Sequence, residues 1–84
     1  MNTLQVLWFA KEMEAKLEGN SHKGGWEGVS PYALYAKAEE EMKEVFTALL
    51  ACPRVSRDIT RECADTANFL MMIADNCRRA TGES

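Results

Sequence analysis

Leu4, Leu7 and Trp8, followed less regularly by Met13 and Leu17, recur at helical spacing and predict a first helix over residues 3–17, with Lys11, Glu12, Glu14 and Lys16 on its outer side. Gly19-Asn20 is a helix stop signal. The stretch from Ser21 to Val29 holds Gly24, Gly25 and Gly28 and is a loop; its His22, Lys23 and Trp26 suit it to cover a ligand. Ser30-Pro31 restarts the chain as N-cap and first helical residue, because the serine oxygen accepts a free amide and proline has no N–H to leave orphaned. The second helix extends to about Ala51 and is broken by Pro53. Ser56 and Asp58 then open a third helix that continues to about Arg79, with Arg78 and Arg79 placed to offset its negative end. The expected fold is all-α: one domain over residues 1–84, built on an antiparallel hairpin of the second and third helices.

The same periodicity places acids where the core should be. At 100° per residue, Leu34, Ala38, Met42, Val45, Ala48 and Leu49 define the apolar face of the second helix, with Glu41 inside it and Glu44 on its margin. On the third helix Ile59, Phe69, Leu70, Ile73 and Cys77 define the face, Glu62 lies near its middle and Asp65 flanks it. In an antiparallel hairpin, residues equidistant from the turn lie at similar levels. Counted from Pro53, Glu41 is level with Asp65 and Glu44 with Glu62. All four carboxylates are therefore expected in one slice about 4.5 Å tall. Unpaired, they are costly to bury. Protonation, basic partners or a hard cation with oxygen ligands would each relieve the cost. Lys37 can neutralise one acid, but no inward basic set matches four, so a cation accounts for the cluster best. Mg²⁺, which keeps several waters and is held by a few carboxylates plus substrate phosphates, favours a phosphate-bearing ligand. A solvated acidic face, the usual meaning of a run such as Glu39-Glu40-Glu41, is the plain alternative.

Composition narrows the partners. With 84 residues, 46% hydrophobic and 27% charged, and a formal net charge of −3, the chain has room for one small domain and lacks the positive field that phosphate-backbone binding needs, so nucleic acid is not expected. The longest apolar stretch is far shorter than the ~20 residues of a membrane span, and no basic region precedes the apolar N-terminal residues; a cytoplasmic protein without membrane association is expected. Cys52, Cys63 and Cys77 are an odd count without C-x-x-C spacing and suggest neither disulfides nor zinc, but small buried hydrophobes.

Glu40-Glu41-x-x-Glu44 followed by Glu62-x-x-Asp65 resembles the E-E-x-x-E … E-x-x-D signature of MazG-like nucleotide pyrophosphohydrolases, the all-α nucleoside triphosphate pyrophosphatases. The resemblance covers about His22 to Asn76 and includes the Lys23-Gly24-Gly25-Trp26 loop; the family's usual fourth helix has no counterpart, since only Ala80 to Ser84 follow. It implies hydrolysis of a nucleoside triphosphate to monophosphate and pyrophosphate with Mg²⁺, or alternatively Mn²⁺, as cofactor. Glu41, Glu44, Glu62 and Asp65 match the positions of the metal ligands, and Glu41 or Glu44 is the candidate to take the proton of the attacking water. Glu40, turned about 100° from Glu41, belongs to the surface or supports the ligands.

Substrate contacts are assigned to Lys23 for phosphate, Trp26 for stacking on the base and Asn68 for the sugar or base. The competing roles are a solvated lysine, a tryptophan that anchors the loop, and an exposed helix asparagine. His22 has no partner nucleophile and reads as surface. Tyr32 and Tyr35 suit either a base pocket or packing against Trp8 or Phe9, and Met71 and Met72 fill core or interface. The third helix is apolar around much of its circumference, which calls for cover on more than one side; a homodimer or homotetramer that completes four-helix packing between chains is expected. From a different functional class, a non-enzymatic helical interaction or regulatory module with an acidic cation-binding patch also fits the sequence.

Overall fold

A computed structural model describes residues 2–19 and 25–82. Three helices account for most of them: α1 (Thr3–Gly19), α2 (Pro31–Leu50) and α3 (Ser56–Ala80), with no strand among the described residues. The Ser30 hydroxyl accepts the backbone N–H of Tyr32 at 3.1 Å and Pro31 occupies the first turn of α2, as the Ser-Pro pair predicts. After Leu50 the chain turns through five residues, and Arg54 Nε donates to the Leu49 carbonyl at 3.1 Å, satisfying one of the free acceptors at the end of α2. α3 begins at Ser56 as expected, but without a side-chain cap: Val55 holds the N-cap position, and Asp58 in the first turn favours the helix through its charge alone.

α3 is the centre of the molecule, packing against α2 along one side and α1 along another. The core it builds is thin. Leu34 and Ala38 of α2 and Ala64 of α3 are the only buried hydrophobic residues described, and α3 also buries Thr66, Asn68 and Asp75. Small and polar residues let the helices approach closely, but they bury little apolar surface.

Three expectations about facing are corrected. First, α1 docks by a rotated side: Phe9, Glu12 and Lys16 join the expected Met13 and Leu17 as half-buried residues, whereas Leu4, Leu7 and Trp8 point to solvent. Two polar contacts fix this rotation. Asn68 Nδ2 donates to the Met13 carbonyl at 2.9 Å, and Lys16 Nζ lies 3.2 Å from Asp65. Second, Met42 and Leu49 are exposed, because α2 turns its Leu34–Ala38–Val45 edge toward α3 and leaves the neighbouring stripe open, and Leu70 of α3 is exposed as well. Third, Cys52 and Cys77 are exposed and Cys63 is half-buried, so the three free thiols do not form part of a buried core.

Candidate metal centre

Glu41 projects from α2, and Glu62 and Asp65, one turn apart, project from the facing side of α3. One carboxylate oxygen from each lies within 4.8 Å of the others, and all three residues are half-buried. The antiparallel register expected about Pro53 thus places three of the four acids together. Glu44 is exposed and lies outside this triad, although its charge still acts on Glu41 and Glu62.

Burial and the crowding of like charges both act on these carboxyls. Burial first, then the nearby Asp65, Glu62 and Glu44 carboxylates, raise the Glu41 carboxyl above its ordinary value; the Lys16 ammonium opposes them. Glu62 is raised by burial, Asp65, Glu44 and Asp58, again against Lys16. Lys16, which the sequence pattern places on the outer side of α1, is the cation that partly neutralises the cluster. Lys37, the candidate for that role, pairs instead with Glu40 at 3.8 Å on the exposed surface.

Toward the interhelical turn, an open groove of about 310 Å³ adjoins the triad, lined by Lys16 and Arg61 as well as by Glu44, Thr47, Asp58 and Glu62. The groove and the triad together set two cations, Lys16 and Arg61, beside five carboxylates, Glu41, Glu44, Asp58, Glu62 and Asp65. Neither Lys16 nor Arg61 stands out in the sequence as a site residue. The available signal is positional: Arg61 directly precedes Glu62, and Lys16 becomes visible only once the face of α1 is known.

Of the expected substrate contacts, Trp26 and Asn68 have structural roles. Lys23 and His22 lie outside the described residues. Trp26 anchors its loop: the indole N–H donates to Asp75 Oδ2 at 3.0 Å, and Asn76 Nδ2 donates to the carbonyls of Trp26 (2.9 Å) and Val29 (3.0 Å). Asp75 also accepts from Arg78 Nε (2.8 Å) and Arg79 Nε (3.0 Å), and the bonds from Arg78, Trp26 and Arg79 hold its carboxyl down at about 2. The loop closes in a turn from Trp26 to Val29 that places Gly28 at φ 80°, the left-handed conformation glycine adopts without strain. Ten residues of α3 separate Asp75 from Asp65, so this anchor sits about 15 Å along the helix from the triad. Asn68 is buried rather than exposed; it ties α3 to α1 through Met13, and its Oδ1 has no hydrogen-bond partner. Tyr32 and Tyr35 are exposed, while Trp8 and Phe9 contact each other at 5.9 Å.

No helix among the described residues is long and apolar enough to cross a membrane. Comparison with known protein families, curated proteins and solved structures yields no match to this chain.

Proposed function

We propose that the protein is a Mg²⁺-dependent nucleoside triphosphate pyrophosphohydrolase, acting in the cytoplasm and cleaving (d)NTP to (d)NMP and pyrophosphate. The observation that carries this is the convergence of Glu41, Glu62 and Asp65 within 4.8 Å, at positions that match the E-E-x-x-E … E-x-x-D pattern. The donor set suits a small hard cation: all three groups are carboxylates, and opposite oxygen ligands on such an ion sit roughly 4–5 Å apart. Their mutual repulsion, seen in the raised Glu41 and Glu62 carboxyls, is the cost that positive charge removes. Mn²⁺ satisfies the same donors.

When bound, the ion neutralises phosphate charge and lowers the pKa of a water. The chain's own residues do the rest. Glu41, Glu62 and Asp65 hold the ion. Lys16 and Arg61, at the groove beside them, face the phosphate chain and stabilise the negative charge that accumulates as pyrophosphate departs. Glu44, exposed at the edge of the cluster and free of the triad, accepts the proton of the attacking water, with Glu41 as the other candidate. Lys23 remains a phosphate contact in this scheme. Trp26 contributes to substrate binding only through the face of its indole ring, and the Asn68 amide, buried and donating to the Met13 carbonyl, is closed to a substrate.

The test is a panel of ribo- and deoxyribonucleoside triphosphates with Mg²⁺ or Mn²⁺ and product identification. Monophosphate plus pyrophosphate is expected, and Glu41→Gln or Asp65→Asn abolishes the products with helical content retained. A panel left intact with either metal overturns the proposal. One observation favours the interaction-module reading instead: Lys16 already compensates Asp65 at 3.2 Å, so part of the acidic cluster is balanced within the chain. That reading expects a partner or cation to bind without turnover.

A further inference from the structure

α1 is held by few contacts. It buries no residue of its own, and among the described residues it packs on α3 and not on α2. Phe9, Met13 and Leu17 supply half-buried apolar contact, and two polar contacts complete the seam. Asn68 Nδ2 donates to the Met13 carbonyl at 2.9 Å, and Lys16 Nζ lies 3.2 Å from Asp65 Oδ2. Three residues forward along α1 match three residues back along α3, so the two helices run antiparallel and Lys16 comes level with Asp65.

Lys16 is therefore both a fastener of α1 and a cation of the acidic cluster. The two side chains of the ion pair are only 25% and 20% exposed, so water screens them less than an open surface pair. The same ammonium acts on Glu41 and Glu62 and lines the groove with Arg61. Asp65 is also one of the three carboxylates that converge within 4.8 Å. A divalent ion held there draws on the carboxylate against which Lys16 rests and sets two positive charges beside a third. The effect is mutual: whatever a bound cation does to the docking of Lys16, that docking does to the affinity for the cation. An anion in the groove acts with the opposite sign, because it offers the ammonium a new partner where Lys16 already lines the wall.

We propose that Lys16 couples the docking of α1 to the occupancy of the acidic site. A divalent cation drives the ammonium off Asp65 and loosens α1, and a phosphate-bearing anion in the groove recaptures it and fastens α1 again. α1 is thus fastened in the empty and in the fully loaded protein, and loosened when the cation is alone. Lys16 is a positioning residue for α1 that also sets the cation affinity. The coupling rests on the metal site proposed above and does not depend on hydrolysis.

The test combines Mg²⁺ titration by calorimetry with amide exchange, on wild type, Lys16→Met and Lys16→Arg. Lys16→Met keeps a long apolar stem and removes the charge; it is expected to bind Mg²⁺ about 10-fold more tightly than wild type. Lys16→Arg is expected to bind like wild type, whereas a purely structural lysine would leave the affinity the same in all three. In wild type, Mg²⁺ accelerates amide exchange in α1 by up to the same factor, about 10-fold, without doing so in α2 or α3. Inorganic pyrophosphate added with Mg²⁺ reverses the acceleration. In Lys16→Met, α1 exchanges fast without metal and responds to neither addition. The wild-type exchange series needs no variant and decides the matter even where Lys16→Met folds poorly. Equal Mg²⁺ affinity in wild type and Lys16→Met, α1 exchange indifferent to Mg²⁺, or no Mg²⁺ binding by either protein each overturns the coupling. The hydrolase reading fails separately: nucleotides left intact by a protein whose α1 responds to Mg²⁺ and pyrophosphate in this way overturn hydrolysis and support the coupling.

Discussion

Replacing Glu41 by Gln removes one of three clustered carboxylates with almost no change in shape, and it should stabilise the metal-free protein. The Glu41, Glu62 and Asp65 oxygens lie within 4.8 Å of one another. At that separation a like-charge pair costs about 0.9 kcal/mol at the dielectric constant of water and about 3.5 kcal/mol at an effective value of 20. These groups are half-exposed, so screening by solvent puts the cost toward the lower figure. Three like neighbours, Asp65, Glu62 and Glu44, repel Glu41 and Lys16 attracts it, leaving a net gain of about 1 kcal/mol on neutralisation, or roughly 4–8 °C in melting temperature for a domain of this size. The assay is thermal or urea unfolding of both proteins in chelator, at neutral pH and low salt. High salt should shrink the difference. Acid should shrink it too. The Glu41 carboxyl is raised above its ordinary value of 4.5 in the folded state, so the folded state holds the proton more tightly than the unfolded one. Wild-type stability therefore rises as the pH falls through the folded pKa toward 4.5, and below 4.5 the variant loses its advantage. Millimolar Mg²⁺ reverses the order, stabilising the wild type more than the variant, because a ligand of the folded state adds its binding energy only where the site is intact. A Glu41→Gln protein no more stable than the wild type in chelator at low salt would refute the view that these carboxylates repel one another.

Two further outcomes follow from the contacts of α3. The Asp75 carboxyl is depressed to about 2 by Arg78, Trp26 and Arg79, so its stabilisation of the 25–29 loop is complete above the unfolded value near 3.8 and is lost as the pH falls from there toward 2. The Trp26 indole N–H resonance should shift over that interval in the wild type, and Asp75→Asn should remove the titration; a signal that does not move in the wild type would count against the anchor. Asn68→Ala strips the Met13 carbonyl of its donor in a part-buried seam, at a cost of about 1–3 kcal/mol in unfolding free energy. Because Asn68 fastens α1 to α3, amide exchange in α1 should accelerate more than in α2, and equal acceleration in both helices would show that the contact does not hold α1.

What the sequence determines by itself is local. The helix boundaries follow from Ser30-Pro31, Pro53 and the glycines of the loop, since capping and chain breaking involve neighbours a few residues apart. The meeting of Glu41 with Glu62 and Asp65 was equally legible, because a five-residue connection forces antiparallel packing and the count from Pro53 sets the register. Rotation about each helix axis is another matter. α1 has an apolar side in Leu4, Leu7 and Trp8, yet it docks by the side that carries Met13 and Lys16, where Asn68 and Asp65 supply a hydrogen bond and an ion pair. That choice brings Lys16 to the acids and leaves the Leu4–Leu7–Trp8 side of α1 in solvent. It also makes Asn68 and Asp75 structural, each buried because its hydrogen-bond partner comes from a segment some fifty residues away. Periodicity identifies which residues share a face; which face meets which neighbour is decided only when partners distant in sequence satisfy each other's polar groups, and that is a property of the tertiary structure.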